Sequence, residues 1–362
     1  MTASSPTVTP FATYVVGSLP RPQWVRDVVE DRKAGRITAE AADKQFDAAI
    51  PSAILMQERA GLDYVSDGEW RRESYVKVFS QHVRGFKLDV LPMRISAAGQ
   101  DPVVVDRLVQ EGDLTTEAAR FLRAHTDRRT IVAVPSPYIL GWRMWRAEHS
   151  AGAYSTREEF MEACVPILRD ELRSLEQAGI DHVQIDEPWL LMLVDPEHRA
   201  QIGVTDMEAE IELCVRMVNA VLEGAGGLHT SMHMCHAHFA RSRATDGGYE
   251  PVIDALADIE VERFAMEFAA PESHGVEALA RFPQNKMLGL GVIDHCSPDV
   301  ETPETVVERA EAALEYLPPE RITLNPDCGF SPGSQNPMDL DEAYLKLSAM
   351  CSAADMLRER YA

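Results

Sequence analysis

The sequence has few of the features that stabilise secreted or membrane proteins. Its 362 residues include only six cysteines, and no apolar run approaches the roughly 18 residues of a spanning helix. The first ten residues are rich in serine, threonine and proline, without the basic start and apolar stretch of a secretory signal. We therefore expect a cytoplasmic protein whose cysteines are buried, bind metal or act as thiols.

Positive charge is also scarce. Lysine and arginine number 35 against 58 aspartates and glutamates, which gives a net charge of −23. Such a charge repels phosphate backbones and anionic lipids, so we expect no nucleic-acid and no membrane partner. The chain is 45% hydrophobic and 26% charged, the balance of an ordinary globular protein. Small molecules are the partners we expect, and the sequence leaves a homo-oligomer open.

Short apolar segments alternate with longer amphipathic ones along most of the chain. Segments typical of strands are residues 13–16, 63–66, 130–134, 182–185, 228–233, 264–267, 287–293 and 322–325. Helical spacing of apolar residues marks 38–60, 157–178, 205–222, 303–316 and 339–360. This alternation predicts an α/β protein, a single (β/α)8 TIM barrel over residues 13–362, after a flexible tail at residues 1–12.

Two segments fit the alternation poorly. Residues 84–114 contain scattered glycine and proline around a valine-rich piece, which is typical of a hairpin-like insertion or a long excursion. Residues 189–205 read as a loop rich in leucine, proline and histidine. Neither segment has the composition of a linker, so we expect one domain.

Metal-binding side chains follow several of the predicted strands. They are His233, Cys235, Glu267 and Cys328. Because the carboxyl ends of parallel strands meet at one end of a barrel, these four should lie together, and such a nitrogen, sulfur and oxygen set suits tetrahedral zinc. The alternative is a buried histidine, two inert cysteines and a loop glutamate. His236 and His238 compete for the same role, but we expect them to face the following loop or helix start.

The order of motifs along the chain resembles the catalytic half of cobalamin-independent methionine synthase and its short single-barrel relatives, within a UROD/methionine-synthase-like barrel class. The resemblance runs from about residue 13 to 330, with Asp-Gly-Glu at 67–69, Asp-Glu-Pro at 186–188, His-Met-Cys at 233–235 and Asn-Pro-Asp-Cys-Gly at 325–329. It implies a zinc-dependent methyltransferase of methionine biosynthesis that methylates a small thiol, most simply homocysteine.

The resemblance also implies roles for individual residues. Glu69 and Asp186 match the positions that hold the amino group of homocysteine, and Gly17 with Ser18 matches the turn whose amides meet its carboxylate. Two carboxylates attract an ammonium, and amides of a glycine turn suit an anion. A second reading of the two acids is an ion pair with Arg71 or Arg72, or a helix cap.

The donor side departs from the family pattern. Asp294 and His295 are the acid pair that we expect near the leaving group, but Cys296 stands where the family has a histidine. The segment after Pro188 is apolar, Trp-Leu-Leu-Met-Leu, where the family has a polar folate contact. We expect from this that the alkyl donor differs from a polyglutamylated methylfolate.

Two other functions fit parts of the sequence. A zinc-dependent thiol alkyltransferase of the epoxyalkane:coenzyme M transferase type would keep the zinc ligands but require cationic partners for a sulfonate. A metal-free barrel related to uroporphyrinogen decarboxylases would require a cationic pocket and no set of thiols and imidazole.

Overall fold

The computed structural model describes residues 8–88, 101–223, 225–239, 241–270, 275–330 and 338–361. The helices are α1 (Gln23–Lys33), α2 (Ala39–Ala60), α3 (Lys77–His82), α4 (Thr116–Ala124), α5 (Pro137–Met144), α6 (Ala147–Ser150), α7 (Arg157–Gln177), α8 (Pro188–Met192), α9 (Pro196–Ile202), α10 (Met207–Leu222), α11 (Pro303–Ala313) and α12 (Leu340–Tyr361). The strands are β1 (Tyr64–Val65), β2 (Val83–Lys87), β3 (Val103–Gln110), β4 (Arg129–Pro135), β5 (His182–Asp186), β6 (His229–His233), β7 (His238–Phe239), β8 (Ser242–Arg243), β9 (Arg263–Met266), β10 (Met287–Ile293) and β11 (Ile322–Pro326). Short 3-10 turns span Ile253–Asp258, Val276–Arg281 and Pro319–Arg321.

Seven strands form one parallel sheet in the order β1-β4-β5-β6-β9-β10-β11. Each neighbouring pair is parallel, so all carboxyl ends lie at the same edge. Residues of β5, β6, β9 and β11 are buried on both faces, as expected for a sheet that helices cover. The predicted α/β class with a parallel sheet is therefore confirmed, in the form of a TIM-like arrangement of seven strands.

The first predicted strand, residues 13–16, is not a strand in the structure. Thr13 forms only an isolated parallel bridge with Leu324. Tyr14 N donates to Leu324 O at 3.2 Å, and Tyr64 N donates to Thr13 O at 3.0 Å, so this segment lies between β11 and β1. The ladder stops there because the Thr13 amide donates to the Asp63 carboxylate at 2.8 Å instead of to a neighbouring backbone carbonyl.

The packed chain begins before residue 13. Phe11 and Ala12 are buried, and Phe11 N donates to Ile322 O at 2.8 Å. These two residues therefore belong to the fold and not to the flexible tail that we expected at residues 1–12, whose first seven residues lie outside the described part of the chain.

The five predicted long helices appear within a few residues of their expected ends, because the residues that cap them are adjacent to them in the sequence. Thr38 accepts a hydrogen bond from Ala41 N at 3.1 Å and begins α2, and Gly61 ends it at a φ of +98°. Thr156 likewise begins α7 by accepting from Glu159 N at 3.0 Å. No helix among the described residues is long and apolar enough to cross a membrane.

The two irregular segments have defined structure. Strands β2 and β3 pair antiparallel, so the part of 84–114 that the structure describes is a hairpin. We expected residues 189–205 to form a loop, but α8 and α9 occupy most of this segment. Residues 190–193 are fully buried, so their apolar character is explained by core packing beneath the site.

A buried ion-pair cluster fixes the loop that follows β10. Lys346 of α12 is fully buried, and its Nζ donates to Asp294 O at 3.0 Å and to Glu301 Oε2 at 2.9 Å. Glu301 Oε1 in turn accepts from Asp294 N at 2.7 Å and lies 3.3 Å from Arg309 Nη1. The cluster therefore holds the backbone of Asp294 from two sides.

Replacing Lys346 tests this anchoring. We expect Lys346→Met to lower the free energy of unfolding by about 3–5 kcal/mol, because removing one partner leaves Glu301 buried without its lysine. Urea denaturation followed by circular dichroism measures the loss. The double variant Lys346→Met/Glu301→Gln should recover part of it, and a loss below about 1 kcal/mol in the single variant would contradict the anchoring role.

Candidate active site

Four chemically distinctive side chains stand at the carboxyl ends of their strands. His233 is the last residue of β6 and Cys235 lies two positions later. Glu267 follows β9 directly, and Cys328 lies two positions after β11. Met234 N donates to Ala265 O at 3.0 Å, which continues the β6–β9 pairing and brings the turn after β6 beside Glu267.

The structure brings three of the predicted ligands together. One ligand atom each of His233, Cys235 and Cys328 lies within 4.8 Å of the others. The two sulfurs are 3.8 Å apart, and a tetrahedral ion with bonds of about 2.3 Å to sulfur separates two sulfurs by about 3.8 Å. Hydrogen bonding to Cys328, with His233 beside it, holds the pKa of the Cys235 thiol well below its usual range.

His233 has one nitrogen available for a ligand. Its Nδ1 lies 3.5 Å from Asp186 Oδ1, whereas its buried Nε2 has no hydrogen-bond partner. Metal-binding histidines commonly have one nitrogen on a carboxylate and the other on the ion. The donor set and this free nitrogen therefore fit a bound metal ion.

Glu267 is near these three residues but is not grouped with all of them. Its ligand oxygen lies within 4.8 Å of Cys235 and His238. Oε2 is 2.6 Å from His236 Nδ1 and 3.1 Å from Arg243 Nη2, and Oε1 is 3.2 Å from His238 Nε2. Burial raises the pKa of Glu267, but His238 and His236 outweigh that effect and hold it below its usual range.

Sequence reasoning missed the contacts of His236 and His238. Instead of facing the following loop or a helix start, both rings contact the Glu267 carboxylate. Ala237 between them has a left-handed φ of +50°, which a sequence pattern does not reveal for alanine. The spacing of histidines at 233, 236 and 238 around a cysteine was the available signal.

A cavity lies between the turns after residue 16 and after β1 and the strands β4 and β5. Its lining consists of Gly17, Ser66, Asp67, Glu69, Arg72, residues 131–133 and Gln184. Leu19 N donates to Gly68 O at 3.1 Å and Phe330 N donates to Ser18 O at 2.9 Å. The predicted turn at Gly17 and Ser18 therefore lies between the acidic turn after β1 and the turn that carries Cys328.

Glu69 is held in an unusual conformation at the floor of the cavity. Its φ is +59°, although it is not glycine, and it follows Gly68 at +68°. A Cβ on Gly17, whose φ is +69°, would lie 3.1 Å from Glu69 Oε1. Non-glycine residues in this region persist only where the surroundings impose it, and they concentrate at functional sites.

Arginines compensate part of the negative charge around Glu69. Burial raises the pKa of its carboxyl to about 7, with Arg72 opposing the rise and Asp186 adding to it. Arg72 Nη1 lies 3.2 Å from Glu69 Oε1, and Asp186 Oδ1 accepts from Gln184 Nε2 at 2.8 Å. The ion pair that we considered for Glu69 is thus present through Arg72, whereas Arg71 pairs with Asp47.

Of the two predicted residues that follow β10, His295 lies near Cys328, whereas Asp294 closes the turn after the strand. Asp294 Oδ1 accepts from Cys296 N at 2.8 Å and so closes a turn. The His295 ring is edge-on to His238 with centroids 4.2 Å apart, and its ligand nitrogen lies near Cys328. Burial, with His238 beside it, holds the pKa of His295 well below its usual range.

Glu187 is a further residue that sequence reasoning did not single out. Its carboxylate accepts from Ile139 N at 3.0 Å and from Trp189 N at 2.9 Å, as well as from the Ser136 hydroxyl. It therefore joins the helix starts after β4 and β5.

The fold and site define an α/β enzyme whose polar site lies at the carboxyl ends of a parallel sheet. The chain matches the family model described as cobalamin-independent synthase, catalytic domain, over residues 11–356. It is similar to methionine synthase from Pyrococcus abyssi, with 30% identity over 96% of this chain and 93% of the relative. Methionine synthase from Saccharolobus solfataricus is 29% identical, over 96% and 95% of the two chains.

A solved structure has the same fold. The B12-independent methionine synthase from Shewanella sp. W3-18-1, in complex with selenomethionine, superposes with a TM-score of 0.80 over 97% of this chain and 99% of that one, at 23% identity. The chain therefore belongs to the family of cobalamin-independent synthase catalytic domains, and it is a methyltransferase. The predicted family and enzyme class are confirmed.

Adding a methyl group at Gly17 tests the packing of the cavity floor. We expect Gly17→Ala to destabilise the protein more than Gly179→Ala, because both have positive φ, at +69° and +77°, but only Gly17 has a neighbour within 4 Å. The left-handed conformation alone costs about 1–2 kcal/mol with a Cβ. Urea denaturation of both variants measures the difference, and equal losses would show that Glu69 does not pack against residue 17.

Proposed function

We propose that the chain transfers a methyl group to the thiolate of homocysteine and so forms methionine, with zinc as its metal. The observation that carries the proposal is the pair of sulfurs 3.8 Å apart, beside an acid-lined cavity. The methionine synthases to which the chain is similar support the same reaction.

The backbone hydrogen bonds of residues 12–14 support a closed barrel. These residues bond to Leu324 of β11 on one side and to Tyr64 of β1 on the other. We infer that the segment takes the place of an eighth strand in a (β/α)8 barrel, within a single catalytic domain over residues 13–362. The cavity then lies at the barrel mouth, where such enzymes have their active sites.

His233, Cys235 and Cys328 would hold the zinc ion. Soft thiolates combined with imidazole favour zinc over magnesium or calcium. When bound, zinc lowers the pKa of a coordinated substrate thiol, so that the thiol is a thiolate at neutral pH. Glu267 as the fourth ligand stays a prediction; one of its oxygens lies within 4.8 Å of the Cys235 sulfur.

Glu69 and Asp186 suit the ammonium group of the amino acid. Both side chains are buried, Glu69 lines the cavity, and Asp186 accepts a hydrogen bond from the lining residue Gln184. A bound ammonium would restore a compensating charge between them. The amides of the turn at Gly17 and Ser18 would donate hydrogen bonds to the substrate carboxylate.

Asp294 and His295 remain our proposed acid pair on the donor side, and the low pKa of His295 means that its imidazole must take up a proton before it can protonate a leaving group. An amine leaving group departs poorly unless it is protonated, so a positioned acid is required. His295 is fully enclosed, and the Lys346 cluster fixes the backbone of Asp294 next to it. The identity of the methyl donor stays a prediction, namely a donor other than a polyglutamylated methylfolate.

A sulfonate thiol fits the cavity less well. Arg72 is the cationic side chain among the described lining residues, and it already bonds to Glu69 and to Ala133 O at 2.8 Å. Arg21 donates to the carbonyl of Glu69 at 2.6 Å. Coenzyme M as the thiol, or a polycarboxylate substrate of a decarboxylase, would therefore meet acids where it needs cations.

Incubation of the purified enzyme with homocysteine and one donor at a time tests the function. The donors are methylcobalamin and methyltetrahydrofolate as its mono- and triglutamate, and mass spectrometry measures methionine. We expect methionine from homocysteine and no methylated product from coenzyme M. Methylation of coenzyme M in preference to homocysteine would contradict the proposal.

Removing either thiol tests the zinc site. We expect Cys235→Ser and Cys328→Ser to lose most of their zinc, because a serine hydroxyl is a poor substitute for a thiolate. Cys214→Ala is the matched control, since this cysteine is buried inside α10. Metal analysis after dialysis measures the ratio of zinc to protein. An unchanged ratio of zinc to protein in both serine variants would show that the two cysteines are not metal ligands.

The pKa of Glu69 predicts a pH dependence of substrate binding. The ionised carboxylate attracts the ammonium, and its pKa near 7 means that it takes up a proton as the pH falls from 8 to 6. We therefore expect homocysteine to bind progressively more weakly below pH 7, by up to about tenfold per pH unit.

The variant Glu69→Gln should bind homocysteine more weakly by about 2–5 kcal/mol and lose the part of the pH dependence over this range that comes from Glu69. Isothermal titration calorimetry measures both effects. 4-Mercaptobutanoate, which lacks the amine, is the control ligand and should be affected little. Equal weakening of both thiols would assign Glu69 a structural role.

A further inference from the structure

We propose that Asp327 is a positioning residue for the metal centre, because its buried carboxylate joins the turn that carries Glu267 to the turn that carries Cys328. The inference rests on the proposed metal site and concerns what sets the distance between two of its predicted ligands. Asp327 itself donates no atom to the metal. It acts through the backbone of the two turns.

The Asp327 carboxylate accepts four hydrogen bonds from three consecutive backbone amides. Oδ1 accepts from Phe268 N at 3.0 Å and from Ala269 N at 2.9 Å, and Oδ2 accepts from Ala269 N at 3.2 Å and from Ala270 N at 2.9 Å. The residue is only 1% exposed. Successive amides that point to one carboxylate form a concave anion site, and hydrogen bonds to a charged acceptor are stronger than those between neutral groups. The carboxylate therefore fixes the course of the chain directly after Glu267.

Each of the two joined turns has a predicted ligand next to the contact. Phe268 follows Glu267 in the chain, and Asp327 precedes Cys328. The other side of Glu267 is also held, because its amide donates to the Tyr249 hydroxyl at 2.8 Å. The backbone of Glu267 is thus fixed from both sides. Its position relative to Cys328 depends on the Asp327 side chain.

A glycine in the intervening strand leaves room for this contact. Strand β10 lies between β9 and β11, so the Asp327 side chain must cross β10 to reach the turn after β9. A Cβ at Gly291 of β10 would overlap Asp327 Oδ1 and lie 2.6 Å from Met266 O. Asp327 N also donates to Ile293 O at 2.9 Å, which holds the aspartate over the end of β10. A side chain at Gly291 would therefore displace the Asp327 carboxylate.

A buried carboxylate that accepts hydrogen bonds from amides has a purely structural role elsewhere in this protein. Glu171 of α7 is also 1% exposed, and it accepts from Leu114 N at 2.8 Å and from Thr115 N at 2.7 Å. It holds the start of α4, and no predicted site residue adjoins these contacts. Asp327 differs in what the joined turns carry, namely Glu267 and Cys328.

The zinc affinity of two variants, measured by competition with a chromogenic chelator, tests the positioning role. We expect Asp327→Asn to bind zinc about 10- to 100-fold more weakly, because the amide nitrogen that replaces one carboxylate oxygen cannot accept a hydrogen bond from the turn after Glu267. Gly291→Ala keeps the charge of Asp327 but obstructs its position. It should therefore weaken zinc binding as well, which separates an effect of position from an effect of charge.

Glu171→Gln is the matched control, since it makes the same chemical change at a buried carboxylate that holds other amides. It should lower the urea concentration at half-unfolding, as Asp327→Asn does, because buried amides lose an acceptor in both variants. Its zinc affinity should equal that of the wild type. A purely structural role of Asp327 predicts lower stability with unchanged zinc affinity in Asp327→Asn too.

Hydrogen exchange in the wild type gives a second readout that does not depend on the folding of a variant. Coupling between two sites is reciprocal, so zinc should slow exchange of the amides at 268–270 if their contact with Asp327 supports the metal ligands. The segment that contains Leu114 and Thr115 should exchange at the same rate with and without zinc.

The outcomes separate this role from the proposed function. A wild-type enzyme that binds no zinc would contradict the metal site itself. Wild-type zinc affinity in Asp327→Asn would contradict only the role of Asp327, and so would a loss of affinity in Asp327→Asn without one in Gly291→Ala. If neither variant folds, exchange at 268–270 that is unchanged by zinc would overturn the inference.

Discussion

Parallel pairing of strands is the constraint on which the site depends. In register, His233 of β6 lies beside Asp186 of β5 and beside Ala265 of β9, two residues before Glu267. A shift of one residue would turn each of these side chains to the other face of the sheet. The contact between His233 and Asp186 exists only in this register. It links the metal ligands to the cavity.

The balance of buried charge decides what the site can bind. Among the described residues, acids at the cavity are partly compensated, by Arg72 on Glu69, whereas Glu267 is surrounded by cationic or polar donors. The cavity therefore suits a cation, and the centre suits a metal that thiolates can bind. The amino thiol that we propose as the substrate would satisfy both, with its ammonium at the acids and its sulfur toward Cys235 and Cys328.

The sequence predicts the parts of this arrangement that depend on local pattern. Seven of the eight predicted strands and the five long helices appear because their apolar periodicity and their caps, such as Thr38 and Gly61, are local. The motif order led to the family without the structure. The position of Cys328 next to Cys235, 93 residues away, also followed from strand ends alone.

Other features depend on contacts that no local pattern contains. The segment at 13–16 was wrong as a strand because the Asp63 carboxylate binds the Thr13 amide. The contacts of His236 and His238 with Glu267 depend on the left-handed conformation of Ala237. The apolar segment after Pro188 is buried in the core. The contacts of Glu267 with His238 and Arg243 depend on the pairing of β7 with β8, which the sequence pattern did not predict.

The central claim is that a substrate thiol meets the metal held by His233, Cys235 and Cys328. X-ray absorption of the zinc-loaded enzyme, recorded before and after saturation with homocysteine, tests it most directly. The account predicts that the number of sulfur neighbours rises from two to three, with Zn–S distances of about 2.3 Å. An unchanged shell of two sulfurs under saturating homocysteine would contradict it.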